Sequence, residues 1–340
     1  MSTSLPPGFT TCPATIGDIP AAVDLFNDFT EYYLGIREAT VGDIRNEWTS
    51  PGFEPENDIR LVFSPGGKLV GHIEVWTNAN PPVQPWVWGR VHPDFEGQGL
   101  GMALLIWAEE RARQAIPRCP ADARVVMRTY ISSSIESPRH LFEAQGLKLI
   151  RHSFRMLIEM DGAPPGPAWP EGIRIRIPND PAAEIEAIYR ADEEAFRDHF
   201  GYVEEPFEEG LARYRHHFLE IENFDPSLWF LAMDGVPQVD ESEIAGICLC
   251  RQHSWEDPEC GYVSNLAVRR PWRKRGIGLA LLHHAFGEYY CRGFRKVALG
   301  VDAQNLTGAL RLYEKAGMSV HRQYDLYEKE LRPGRDLSVQ

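Results

Sequence analysis

Hydrophobic and polar positions change period along this chain in an order that occurs twice. In the second half, Ile173-Arg-Ile-Arg-Ile177 alternates with period two, as a half-buried strand does. Two apolar runs, Trp229–Met233 and Ile244–Cys250, flank a turn and predict a hairpin. An apolar strand over Tyr262–Val268 then leads through a glycine-rich turn to a helix, on which Leu279, Leu282 and Phe286 fall three and four residues apart. A strand over Lys296–Val301, a short helix over Ala309–Lys315 and a last strand near Gln323–Lys329 complete the series. The first half predicts the same order, with its hairpin at Ile59–Phe63 and Leu69–Trp76 around Pro65-Gly-Gly. The fold class that follows is α/β, a mixed α+β sheet with helices, built twice.

The two copies align residue by residue. At an offset of 177, Val91 matches Val268, Gly99 matches Gly276, Gly101 matches Gly278, and Ala103-Leu-Leu105 matches Ala280-Leu-Leu282. Later, Leu141-Phe-Glu-x-x-Gly146 parallels Leu312-Tyr-Glu-x-x-Gly317 at an offset of 171. Ordered similarity of this kind reads as tandem duplication of one domain. The segment Asp161-Gly-Ala-Pro-Pro-Gly-Pro-Ala-Trp-Pro170 is too rich in proline and glycine for a core element. We therefore expect a domain over 1–160, a linker over 161–170 and a second domain over 171–335.

Composition narrows the function classes. The chain of 340 residues has 43% hydrophobic positions and a formal charge of −14, so each domain can bury a core. An acidic balance disfavours nucleic acid or an anionic membrane as partner. No apolar run is long enough to span a bilayer and the start has no export signal, which predicts a cytoplasmic protein. The six cysteines lack zinc-finger spacing and read as reduced thiols, so no metal is expected.

Against this charge, Arg269, Arg270, Arg273, Lys274 and Arg275 cluster at the turn Arg273-Lys-Arg-Gly-Ile-Gly278. Glycines and free amides at a helix start form an anion site, which points to a phosphate-bearing ligand. A dinucleotide fingerprint fits poorly because Leu281 stands where its third glycine belongs, and no G-K-[ST] follows for a P-loop.

Asn265-Leu-Ala-Val268, Arg273-x-x-Gly-x-Gly278, Asn305 and Leu312-Tyr-Glu-Lys-Ala-Gly-Met318 together resemble the GNAT superfamily of acyl-CoA-dependent N-acetyltransferases. The first half resembles it more weakly, and two such domains in one chain resemble mycothiol synthase and related tandem acetyltransferases. The resemblance implies acetyl-CoA as co-substrate. Its pyrophosphate would rest on Lys274, Arg275, Gly276, Ile277 and Gly278, with Arg273 near the phosphates. Its pantetheine arm would lie beside Leu266, Ala267 and Val268, with Asn305 bonding the arm. A backbone amide near Leu266 would polarise the thioester carbonyl. Tyr313 matches the family's proton donor to the leaving thiolate, and its ordinary pKa near 10 suits an acid. The base is left open: Tyr262 fills the usual position, Glu259 is near, and water can relay a proton.

The first half departs from this pattern: Glu96 stands in place of Arg273, Phe142 in place of Tyr313, and Ser134 near the place of Asn305. Val91, Gly97, Gln98, Gly99 and Gly101 still offer a second CoA site, in a domain expected to be catalytically silent. Residues 180–225 carry fourteen acidic side chains against four basic ones, and within them Glu194, Asp198 and His199 resemble acceptor-side positions. The expected reaction is acetyl transfer to a primary amine of a small cationic molecule by direct attack in a ternary complex. A non-catalytic acyl-CoA-binding or regulatory module, and a protein or peptide N-acetyltransferase, are the competing readings.

Overall fold

The computed structural model describes residues 5–235, 243–255, 257–304 and 308–339. It divides into two compact units that are not continuous in sequence. Unit 1 comprises Met1–Arg151, Glu205–His217 and Tyr324–Leu337; unit 2 comprises His152–Glu204, Phe218–Gln323 and Ser338–Gln340.

In chain order the elements are β1 (Thr10–Pro13), α1 (Ile19–Leu34), α2 (Val41–Trp48), α3 (Pro55–Asp58), β2 (Ile59–Phe63), β3 (Leu69–Trp76), β4 (Trp86–Val91), α4 (Leu100–Arg113), β5 (Val125–Ser132) and α5 (Ser137–Ala144). The repeat continues with β6 (Lys148–Glu159), β7 (Ile173–Arg176), α6 (Pro181–Phe196), α7 (Phe207–Leu219), β8 (Trp229–Asp234), β9 (Glu243–Arg251), β10 (Cys260–Val268), α8 (Ile277–Cys291), β11 (Lys296–Asp302), α9 (Ala309–Lys315) and β12 (Ser319–Arg332). Both predicted hairpins and the strand, turn and helix that follow them are present.

Strand order in unit 1 is β1-β2-β3-β4-β5-β12, and in unit 2 it is β6-β11-β10-β9-β8-β7. The last strand of each repeat is therefore exchanged. From Ser153 onward β6 runs antiparallel to β11, and from Tyr324 onward β12 runs antiparallel to β5. The division expected at 161–170 is consequently not where the compact units divide. Each sheet is completed by a strand distant in sequence, and helix α7 up to His217 packs in unit 1, where Arg213 donates to the Asn78 carbonyl at 2.9 Å. The 161–170 segment is irregular, with neither helix nor strand.

The helices follow their apolar faces. In α8, Ile277, Leu281, Ala285 and Phe286 are at most 1% exposed and join Leu282 and Tyr289 in the core of unit 2. Leu279, expected on the same face, is only partly buried against that core. In unit 1, α1 and α2 bury Leu25, Phe26, Ile44 and Trp48 over one face of the sheet. A methyl on Gly101 would stand 3.1 Å from Leu141, and one on Gly278 would stand 3.1 Å from Leu312. These two glycines thus serve the close approach of α4 to α5 and of α8 to α9.

Candidate active site

In unit 2, β10 and β11 run parallel and pair only from Cys260↔Lys296 to Val263↔Leu299. Beyond that point they part. The cleft edge is fixed by the other neighbour, β9. Arg269 N–H donates to the Ala245 carbonyl at 3.0 Å, so 269↔245 is a hydrogen-bonded pair, as is every second pair before it. Ala267 and Asn265 therefore spend their amides on β9, and the N–H groups of Leu266 and Val268 point into the opening.

The turn beyond the strand end is strained. Lys274 adopts φ 63°, the left-handed region, and Gly276 caps α8 at φ 91°. Unit 1 places Gly97 at φ 72° and Gly99 at φ 86° in the corresponding turn, so both copies require the same backbone.

The basic residues of the turn are largely committed within the protein. Arg273 Nη1 donates to Asp198 Oδ2 at 2.5 Å and Nη2 to Oδ1 at 3.0 Å, while Nη2 also reaches the Ala195 carbonyl at 2.7 Å and Nε the Val268 carbonyl at 3.1 Å. The guanidinium clamps the end of α6 to the turn. Arg269 bonds Glu194 at 2.8 Å, and Arg275 donates to the Glu171 carbonyl at 3.2 Å. Lys274 is exposed and has no side-chain partner among the described residues. Arg273 holds the Asp198 carboxyl below its ordinary pKa, against the opposing effect of burial.

Glu194 and Asp198, expected to face an acceptor, are thus occupied by arginines of the turn. His199 stands beside them with its ring edge-on to Phe196 at 4.4 Å, and burial lowers its pKa. Sequence reasoning passed over Asp192, which is 7% exposed and accepts from Asn265 Nδ2 at 2.7 Å. Its signal was present: a charged residue at a position where α6 turns its apolar face inward.

Tyr313 is 7% exposed on α9, and burial above all, then Cys248 and Tyr262, pushes its pKa up. A phenol so placed stays protonated at neutral pH. Asn305 lies outside the described residues. Tyr262 is buried beneath the Arg155 guanidinium, 4.9 Å from its ring, and its backbone is bonded on both sides to the Tyr289 hydroxyl. Glu259 is exposed before the strand starts, roughly 23 Å of extended chain from Leu266. Neither fits the work of a base acting directly in the cleft.

Unit 1 opens in the same way. Parallel strands β4 and β5 pair only at Trp86↔Arg128, and a cavity of about 300 Å³ lies beyond. Val91, Gly97, Gly99, Gly101 and Phe142 line it, while Gln98 is exposed outside the lining. Glu96 accepts from the Tyr33 hydroxyl at 2.7 Å, a clamp between α1 and the turn that mirrors Arg273 with Asp198. Ser134, near the place of Asn305, bonds Ser132 at 2.9 Å between hydroxyls. Among the described residues, no three His, Cys, Asp or Glu side chains gather as metal ligands, and no helix is long and apolar enough to cross a membrane.

Comparison with known proteins agrees with this architecture. The acetyltransferase (GNAT) family profile matches residues 22–127 and 182–318. The chain is 27% identical over 262 residues to the mycothiol acetyltransferase of Thermobispora bispora, covering 76% of this chain and 79% of that one. It is 38% identical to a GCN5-related N-acetyltransferase from Sphaerobacter thermophilus of known structure, with a TM-score of 0.77 and coverage of 98% and 99%. A tandem GNAT protein from the clavulanic acid biosynthesis pathway shares the fold at a TM-score of 0.67 and 18% identity, covering 96% of this chain and all of that one (100%). With two matched regions and two copies of the parted-strand cleft, this chain belongs to the GNAT family and is an acetyl-CoA-dependent acetyltransferase.

Proposed function

We propose that unit 2 transfers the acetyl group of acetyl-CoA to the primary amine of a small cationic molecule by direct attack in a ternary complex. The observation that carries this reading is the open edge of β10, where the amides of Leu266 and Val268 are uncommitted, together with the buried, protonated Tyr313 in the core cluster against which both residues pack. The pantetheine arm adds to the open edge at Leu266–Val268. The Leu266 N–H donates to the carbonyl oxygen as it gains charge. The amine nitrogen bonds to the thioester carbon as the carbon–sulfur bond breaks; Tyr313 gives its proton to the departing thiolate, the nitrogen releases one proton to solvent, and solvent returns one to Tyr313. The pyrophosphate rests on the amides of residues 274–278 with Lys274 as the available cation. Arg273 acts one step back, holding the turn in shape through Asp198.

Recognition of the amine falls to Asp192, a buried carboxylate bonded to the side chain that precedes Leu266. Four of the fourteen acidic side chains are already engaged by arginines: Glu184 pairs with Arg176, Glu186 with Arg190, Glu194 with Arg269 and Asp198 with Arg273. The test is release of free CoA thiol from acetyl-CoA with a panel of cationic, neutral and anionic amines. Turnover led by cationic amines, and reduced at least tenfold in kcat/KM by Asp192→Asn, is expected. Binding of acetyl-CoA without turnover across the panel would overturn the proposal.

A further inference from the structure

The cavity of unit 1 holds a feature that unit 2 lacks. His72 lines it, is 0% exposed, and neither ring nitrogen has a hydrogen bond. Glu74, 5% exposed, stands two residues along β3 on the same face, its Oε2 3.5 Å from His72 Nε2 and without a hydrogen bond of good geometry, the Trp48 indole being its other polar neighbour. Its other oxygen accepts from Trp76 Nε1 at 2.9 Å. Phe26 of α1 packs edge-on to the imidazole at 4.7 Å and Trp48 of α2 stacks on it at 5.9 Å, so two aromatic rings cover it on the helix side.

The duplicate shows that the fold does not need these groups. His72 pairs with Arg90 in the β3·β4 register and Glu74 with Trp88; in unit 2 the same register positions are Ile247 with Ala267 and Leu249 with Asn265. An isoleucine and a leucine build that strand without leaving buried polar atoms unsatisfied. Buried polar groups without good hydrogen bonds are costly, and a pair of them facing a cavity calls for an explanation.

What surrounds the pair is the opening between the parted strands β4 and β5. His92 N–H donates to the Val70 carbonyl at 2.9 Å, so Arg90 and Trp88 spend their amides on β3 and the Gly89 N–H points toward β5. The β4·β5 ladder has ended there, and Gly89 lines the cavity. Gly89 stands where Leu266 stands in unit 2.

We propose that unit 1 is a second acyl-transfer centre, in which His72, backed by Glu74, takes the proton of an amine that attacks an acyl thioester held at the Gly97–Gly101 turn. The amine nitrogen bonds to the thioester carbon, whose oxygen the Gly89 N–H stabilises. The nitrogen's proton passes to His72 as the ring's Nε2 proton passes to the Glu74 carboxylate. The carbon–sulfur bond breaks, and the thiolate leaves with the electron pair and takes a proton from solvent; Glu74 returns its proton to His72 Nε2, and His72 releases the amine's proton through the cavity to solvent. Because no tyrosine replaces Phe142, this centre depends on its base rather than on an acid.

The charges facing the pair are Arg90 from β4, itself bonded to Glu38 at 2.9 Å, and Asp58 from the end of α3, itself bonded to Arg111. Burial, then Arg90, holds the His72 pKa down to about 3, while burial pushes Glu74 up to about 7. His72 thus relays and Glu74 stores the proton, with activity rising through neutral pH.

The test uses the full chain, acetyl-CoA, and hydroxylamine, ethanolamine and glucosamine as amine probes, following thiol release. Tyr313→Phe should retain turnover that falls at least tenfold when His72→Ile and Glu74→Leu are added, with no loss of melting temperature. Glu74→Gln, which keeps the shape of the side chain, should lower the same turnover tenfold and abolish its rise near pH 7. Absence of turnover in Tyr313→Phe, or turnover that neither Glu74→Gln nor the Ile/Leu pair alters, overturns the proposal. If Tyr313→Phe matches the wild type while the Ile/Leu pair removes all activity, the reading of unit 2 fails and this one stands.

Discussion

Lys274 carries two effects that substitution can separate. Its left-handed backbone, φ 63°, is one that unit 1 assigns to glycine at the corresponding position. For a residue with a Cβ that conformation costs about 1–2 kcal/mol, while a glycine gives back about 0.5–1 kcal/mol through the freedom of the unfolded chain. Lys274→Gly should therefore stabilise the protein by about 0.5–1 kcal/mol, and Lys274→Ala, which keeps the strain, should leave stability within about 0.5 kcal/mol of the parent. Both remove the exposed cation proposed to face the pyrophosphate, an interaction of about 1 kcal/mol at close range in water. KM for acetyl-CoA should then rise roughly fivefold in both variants, and the difference should shrink in high salt. Urea unfolding and KM measured at low and high ionic strength read the two effects independently. Glycine no more stable than alanine would refute the strain argument; an unchanged KM in both would refute Lys274 as the phosphate cation.

Other consequences follow from the same geometry. Asp198→Asn removes the partner of a partly exposed guanidinium and should cost about 1 kcal/mol at neutral pH in denaturant unfolding. Because Arg273 lowers the Asp198 pKa from its ordinary 3.8, that contribution is present above 3.8 and lost as pH falls below it, so variant and parent should converge in acid. A difference that persists at pH 2 would exclude the ion pair as its source. A methyl on Gly261 would overlap the ring of Tyr289, which is 0% exposed, so Gly261→Ala should lose about 2–3 kcal/mol; a neutral result would show that the ring can move aside.

Much of this site was legible because its signals are local. Glycine at 99 and 276 and the small-residue contacts of 101 and 278 repeat at a fixed offset, and strand and helix periods bracket them. Partner choice was not local. The strands at 148–159 and 319–332 read alike in either sheet, so their exchange leaves no trace in the pattern. Arg273 read as a phosphate ligand from its neighbours, but its carboxylate partner lies 75 residues away. His72 and Glu74 alternate with apolar residues as a solvent face would, and only the packing of α1 and α2 over that face makes them buried.

For unit 2 we propose acetyl transfer in its cleft with Tyr313 as proton donor. Its most direct test is kcat for acetyl-CoA and a cationic amine in Tyr313→Phe, measured with Glu74→Gln as the common background so that any turnover by unit 1 is lowered in both proteins alike. The phenylalanine keeps the buried ring and removes only the hydroxyl. A fall in kcat of about a hundredfold or more, with the folded state unchanged, is expected. An unaltered kcat in that background would contradict it.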